Sequence, residues 1–313
     1  MYCTPLEGII PALVTPLVPS ATEIDVDAAR RLVGFLIRRG VHALFALGST
    51  GECGVLDVEH RKRMAEVVIE AARGQVPVIV HVGAPRQSEV LDLAAHAASA
   101  GADAIAVVPP YYYSLDESAL QQFFDKVARS VDLPIYLYNI PGNTKNAITV
   151  RLFTKLAAAH DHVAGMKDSS MDFVAFYELV QNKSRKHAAL MGNDAQILPA
   201  LAVGGQGAVS AGATAIPEPY VRLYDAFARG DLPEARRWQD VCARIRKMFV
   251  KPWPIAPLKM VLDWRGVCGP TVAPPLRQMT GKETRELKEQ FEKIVELLEG
   301  EGFDRGDART VRE

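Results

Sequence analysis

Short, almost uninterrupted apolar runs alternate along most of the chain with stretches whose apolar residues recur every three or four positions. The runs are GIIPALVTP from Gly8, HALFALGST from His42, VPVIVHVGA from Val76, DAIAVVPPYY from Asp103, LPIYLYNIPG from Leu133, HVAGMKDSS from His162, HAALMGND from His187 and GAVSAGA from Gly207. A strand exposed on one face alternates apolar and polar residues. These do not, so each reads as a strand of a parallel sheet covered on both faces. Amphipathic stretches such as DVDAARRLVGFLIRRG and DVEHRKRMAEVVIEAARG lie between them, several stopped by a glycine behind a basic last turn. Eight strands at a spacing of roughly 20 to 35 residues, with helices between, predict a (β/α)8 (TIM) barrel. A doubly wound sheet is the competing architecture, but no GxGxxG fingerprint accompanies the evenly spaced units.

The barrel is predicted over residues 1–229. LPEARRWQDVCARIRKMFV, PLKMVLDWRGV and KETRELKEQFEKIVELLEG then predict a helical region over 230–300, packed on the barrel as one compact unit. The charged segment 301–313 is predicted to fray.

Composition narrows the partners. The chain of 313 residues is 49% hydrophobic, enough for a large core, and its 36 basic and 37 acidic residues leave a formal charge of -1. Such a balance offers no field for nucleic acid or an anionic membrane, so a small molecule or another copy of the chain is the expected partner. The first residues carry Glu7 and no basic segment before an apolar one, unlike a signal peptide, and no apolar run is long enough to span a bilayer. Cys3, Cys53, Cys242 and Cys268 are too scattered for a disulfide framework or a zinc pair, which predicts a cytoplasmic protein. No HExxH spacing occurs among the seven histidines, so no metal is expected.

Barrel chemistry gathers at the carboxyl ends of the strands. There the chain places Ser49, Thr50 and Gly51 in a GSTGE turn, His81, the tyrosines Tyr111 to Tyr113, Tyr138 and Asn139. Lys167, Asp168 and Ser169, then Gly192, Asn193 and Asp194, and finally Ser210 complete the set. Lys167 ends an apolar strand. A plain reading is a loop lysine in an ion pair, but its convergence with Tyr138 and Ser49 on one mouth favours chemistry. A desolvated amine is nucleophilic and attacks a 2-oxo acid to form a Schiff base, whose iminium permits carbon–carbon cleavage or formation. Tyr138 is the candidate proton shuttle, against a plain packing role. Ser49, Thr50 and the backbone N–H groups of the glycine-containing turn are the candidate carboxylate clamp. His81 and Cys53 read as structural residues.

GSTGE at 48–52, YNIPG at 138–142, GMKDSS at 165–170 and GND…LPALAVGGQGAVS at 192–210 resemble the dihydrodipicolinate synthase and N-acetylneuraminate lyase family. The likeness runs from about Gly8 past Pro275 and includes the PLK…G…APPL stretch. It implies a barrel lyase with a helical extension, acting on pyruvate or another 2-oxo acid and an aldehyde, needing no cofactor. It also implies a homotetramer, a dimer of dimers. By the matching motifs, Lys167 would be the Schiff-base residue and Tyr138 the proton-transferring tyrosine. Ser49 and Thr50 would hold the substrate carboxylate, and Tyr112 would complete a hydroxyl relay across a subunit contact. Gly51, Asn143, Ser169, Gly192, Asp194 and Ser210 are the further candidates for substrate binding.

The departures bear on the second substrate. Dihydrodipicolinate synthases carry an arginine five residues after the tyrosine; here Asn143 stands there, and Lys145 is a cation of different reach. Neuraminate lyases normally have a glutamate where this chain has Ala195, and a neutral side chain where it has Asp168. The expected activity is therefore an aldolase for a 2-oxo acid, of which a 2-oxo-3-deoxy sugar acid is one candidate. A 4-hydroxy-tetrahydrodipicolinate synthase or a 2-oxo acid dehydratase is the enzymatic alternative, and a ligand-binding or regulatory barrel the non-enzymatic one.

Overall fold

The computed structural model describes residues 6–249, 255–299, 301 and 303. Most of the segment predicted to fray, and Cys3, lie outside them. The first half runs β1 (Gly8–Pro11), α1 (Val26–Ile37), β2 (Leu44–Ala46), α2 (Val58–Ala72), β3 (Val78–His81), α3 (Gln87–Ala100), β4 (Ala104–Val107) and α4 (Glu117–Ala128). It continues through β5 (Ile135–Asn139), α5 (Pro141–Thr144), α6 (Val150–Ala159), β6 (Val163–Asp168), α7 (Phe173–Asn182) and β7 (Ala188–Met191). Then follow a 3₁₀ turn (Asp194–Gln196), α8 (Ile197–Ala202), β8 (Gly207–Ser210), α9 (Gly212–Ala215) and α10 (Glu218–Ala228). Past the last strand unit come α11 (Leu232–Met248), α12 (Ile255–Trp264) and α13 (Gly281–Leu298).

All strand pairs are parallel, in the order β1-β8-β7-β6-β5-β4-β3-β2. The two ends of that order meet. Leu13 N–H donates to Phe45 O at 2.9 Å and His42 N–H to Ile9 O at 2.9 Å, closing a (β/α)8 barrel. Side chains leave each strand alternately inward and outward. Ile10, Phe45, Ile79, Ala106, Tyr136, Leu190 and Val209 fill the bore, so it is a packed plug and not a channel. Ile9, Leu44, Val80, Ile105, Leu137, Met166 and Ala208 point outward and bury the apolar faces of the helices. That two-sided burial is why the strands read as continuous apolar runs.

Helix starts follow local chemistry. Asp25, Asp57, Asp116, Thr149 and Asp172 each accept a hydrogen bond from a backbone N–H of the turn they begin, an interaction typically worth about 1 kcal/mol. Some apolar runs outlast their strands. β2 stops at Ala46 because Leu47 takes a positive φ of 61°, and β4 stops at Val107, ahead of Pro109 and Pro110. Both exits therefore become loops over the mouth, carrying Ser49 and Tyr111.

Candidate active site

β5 and β6 pair so that Tyr138 lies opposite Lys167. Both point into the barrel mouth, the lysine only 4% exposed. Its Nζ sits 3.9 Å from the centroid of the Tyr138 ring and 4.4 Å from that of Phe45. Gly165, two residues earlier, faces the Ala188 backbone so closely that any Cβ would overlap it, so glycine there lets β6 approach β7. The neighbouring Asp168 points the other way and binds the two strand exits together. Its carboxylate accepts from Asn139 Nδ2 at 2.7 Å, Ser170 N–H at 2.9 Å and Ser170 Oγ at 2.6 Å. Asn139 Oδ1 in turn accepts from Ile148 N–H at 2.9 Å. The acid after Lys167 is thus a brace for the strand that carries the amine.

Ser49 Oγ lies 3.4 Å from the Tyr138 hydroxyl. The GSTGE turn holding Ser49 is tightened by Gly51 N–H donating to Gly48 O at 2.9 Å and Thr15 Oγ1 donating to Gly51 O at 2.8 Å. It is also anchored from behind. Glu52, at φ 64°, sends its carboxylate to Lys259 of α12, Oε1 to Nζ 2.5 Å, with both side chains fully buried. Its Oε2 accepts from Ala273 N–H at 2.7 Å, while Lys259 Nζ donates to Thr271 O at 2.6 Å. Burial pulls the Lys259 ammonium down, opposed by the Glu52 charge beside it. The region after the barrel therefore grips the mouth loop through a desolvated ion pair.

His81 is buried under the mouth. Its Nδ1 is 2.9 Å from Leu47 O and its ring stands edge-on to Tyr138 at 5.9 Å between centroids. Burial first, then the Arg61 and Lys167 charges, push its imidazole down to about 3. The ring is therefore neutral at working pH, which makes Nδ1 the donor to Leu47 O. An unfolded histidine titrates near 6.5 and binds a proton that the folded one refuses until about pH 3. Stability consequently falls as pH drops from about 6.5 toward 3. We expect the urea midpoint of wild type to decline over pH 6.5 to 4 more steeply than that of His81→Gln; parallel curves would refute this account of His81.

A cavity of about 670 Å³ opens at the mouth. Of the residues predicted from sequence, it gathers Lys167, Tyr138, Ser49, Thr50, Asn143, Ser169, Gly192 and Asp194 along its walls. Gly192 is there because Ser169 Oγ occupies the space a Cβ would need. Three predicted residues do not reach it. Gly51 lies beneath the turn, where a Cβ would meet Leu47 N at 3.0 Å and Leu13 O at 3.1 Å. Ser210 is fully buried and accepts from Ala213 N–H at 3.0 Å. It also hydrogen-bonds the carboxylate of Asp194, which accepts from the Tyr220 hydroxyl at 2.9 Å and is pushed up by burial. Tyr112, at φ 88°, is 77% exposed and turned away from this chain's own cavity, whereas Tyr111 lines it. Asn193 joins them from the same strand exit, and the cavity also takes in Glu52, Arg246, Phe249, Ile255 and Leu276, to which sequence reasoning gave no role. Among the described residues, no group of three or more His, Cys, Asp or Glu side chains is placed to hold a metal ion. Among the same residues no helix is long and apolar enough to cross a membrane.

Fold and mouth together define a barrel enzyme of the lyase class. The model of the Dihydrodipicolinate synthetase family matches residues 5–294, and the chain belongs to that family. A 4-hydroxy-tetrahydrodipicolinate synthase of Methanopyrus kandleri is 34% identical over 94% of this chain and 98% of its own. The crystal structure of dihydrodipicolinate synthase from Aquifex aeolicus superposes with a TM-score of 0.88 at 30% identity, covering 92% of this chain and 97% of that one. A prophage protein of the same family from E. coli K12, solved in complex with pyruvate, gives 0.89 at 30% identity over 92% and 98%.

Proposed function

We propose that the protein is a class I lyase that makes or breaks a carbon–carbon bond through a Schiff base between Lys167 and a 2-oxo acid, pyruvate in the simplest case. The observation that carries this reading is the amine itself, buried at the mouth between the Tyr138 and Phe45 rings with the Ser49 and Tyr138 hydroxyls alongside. In the forward direction, Lys167 Nζ adds to the C2 carbonyl and a water leaves. The resulting iminium is a cation facing two π systems, which stabilise it. Loss of a proton from C3 then gives an enamine. C3 attacks the aldehyde carbon, the aldehyde oxygen takes up a proton to become a hydroxyl, and water releases the product from the lysine. The imine is the electron sink, so this chemistry calls for no cofactor.

In this reading Tyr138 relays protons, and Ser49, Thr50 and the N–H groups of their turn hold the 2-oxo acid's carboxylate. Asn143, Ser169, Gly192 and Asp194 face the second substrate, with Gly51 and Ser210 supporting from beneath. Tyr112, displayed outward, serves the relay of a neighbouring copy in a homotetramer, a dimer of dimers. A 2-oxo-3-deoxy sugar acid suits Asn143, whose amide hydrogen-bonds hydroxyl groups. Formation of 4-hydroxy-tetrahydrodipicolinate from pyruvate and aspartate semialdehyde is the second reading, favoured by the names of relatives such as the M. kandleri enzyme. Rate assays with pyruvate and each type of aldehyde, side by side, separate the two.

The proton relay has its own test. Tyr138→Phe is expected to leave imine formation detectable by borohydride trapping while lowering turnover about 10²-fold or more, the usual scale for a positioned acid–base group. Near-normal turnover would reduce Tyr138 to a packing residue.

A further inference from the structure

α11 ends over the mouth, and Arg246 in its last turn lines the same cavity as Lys167. The helix is held there by Gln239, whose Nε2 donates to Asp194 O at 2.9 Å and whose Oε1 accepts from Leu198 N–H at 2.7 Å. Arg246 thus stands over the exit of β7, away from the GSTGE turn at the exit of β2. Its charge reaches Asp194, where it favours the carboxylate against burial.

The other charges around the cavity have partners or tasks. Glu52 is neutralised by Lys259 at 2.5 Å. Asp194 is held by the Tyr220 hydroxyl and by Gly212 N–H at 3.2 Å. Lys167 is the amine committed to the 2-oxo acid. Arg246 differs: it is half-buried, and among the described residues it makes no hydrogen bond or ion pair. Elsewhere on α11, Arg237 reaches Glu301 at 2.6 Å. A guanidinium presents five donors and no acceptor, and it matches the two oxygens of a carboxylate or phosphate.

We propose that Arg246 is the cationic contact for the second substrate, and that this substrate carries an anionic group, carboxylate or phosphate, at the end remote from its reacting carbonyl. The proposal rests on the Schiff-base reading above and narrows its aldehyde to a charged one, so a 2-oxo-3-deoxy sugar acid would fit only if it bears a remote carboxylate or phosphate. Arg246 supplies from α11 the charge that Asn143 lacks on α5. Acidic or phosphorylated aldehydes then fit the site, aspartate semialdehyde among them, and neutral ones fit poorly.

The test is a kinetic comparison of wild type with Arg246→Gln, using pyruvate and three aldehydes: succinic semialdehyde, glyceraldehyde 3-phosphate and glyceraldehyde. Wild type should favour at least one charged aldehyde over glyceraldehyde by about 10-fold or more in kcat/KM, the scale of a hydrogen bond to a charged group. Arg246→Gln should erase most of that preference, chiefly through KM, and Arg246→Lys should restore part of it. The charged aldehyde that loses more identifies the anion as carboxylate or phosphate. Equal losses for charged and neutral aldehydes, or a wild type that favours glyceraldehyde, would overturn the proposal. Binding of succinate by calorimetry gives a readout that needs no chemistry. Tighter binding to wild type than to Arg246→Gln supports the anion site even where pyruvate fails to trap on Lys167, and equal binding counts against it.

Discussion

Lys167→Ala should abolish both borohydride trapping of pyruvate and turnover, leaving the fold intact. The amine is the only group at the mouth that the proposed reaction cannot replace: without it no imine forms, and C3 of the 2-oxo acid has no electron sink. Alanine leaves a gap at the mouth beside an open cavity, where water can enter, so the stability cost is small compared with the loss of activity. Peptide mapping after reduction of wild type with pyruvate locates the modified residue. Labelling of another lysine, or a Lys167→Ala variant that still turns over, would sink the Schiff-base assignment.

Lys259→Ala should cost the protein about 3 to 5 kcal/mol of stability, because it strands Glu52 as a buried charge with no cation beside it. Activity falls as well, since Glu52 is the residue that follows the proposed clamp in the GSTGE turn and binds it to Thr271 and Ala273 through the pair. A second variant separates charge from packing. Glu52→Gln/Lys259→Met removes both charges yet keeps an acceptor for Ala273 N–H, and it should recover most of the lost stability. Urea denaturation of the three proteins is the measurement. A loss below about 1 kcal/mol for Lys259→Ala would mean that water or a rearranged side chain already satisfies Glu52.

The barrel was legible because its strands are buried on both faces, so each appears as a run too apolar for a half-exposed strand. Lys167, Tyr138 and Ser49 were legible because a polar residue at the end of such a run has few places to point. Periodicity is silent about loops. The YYY sequence does not reveal that Tyr111 turns into the cavity and Tyr112 away, a difference set by one positive φ. Ser210 and Gly51 stand at strand exits like the others, yet the pleat and the turn direct them beneath the mouth. Arg246 was invisible for another reason. ARIRKM places three cations within four residues, the look of a solvated helix face, and only the docking of α11 on the turn after β7 brings one of them over the cavity. Glu52 is a similar case, since its hydrogen-bond partner Ala273 lies 221 residues further along the chain.

That last separation has a consequence for how the protein is made. During synthesis all eight strands emerge from the ribosome before Lys259, Thr271 and Ala273 do. A nascent chain can close its barrel with the GSTGE turn still unanchored and the Glu52 carboxylate still hydrated. Docking of α12 and the segment behind it is then a late event that depends on a long-range contact, and such contacts are slow to form because the loop they close is large. Secondary structure should therefore return early on refolding from urea, and the capacity to trap pyruvate on Lys167 should return afterwards, at the rate at which Lys259 becomes buried.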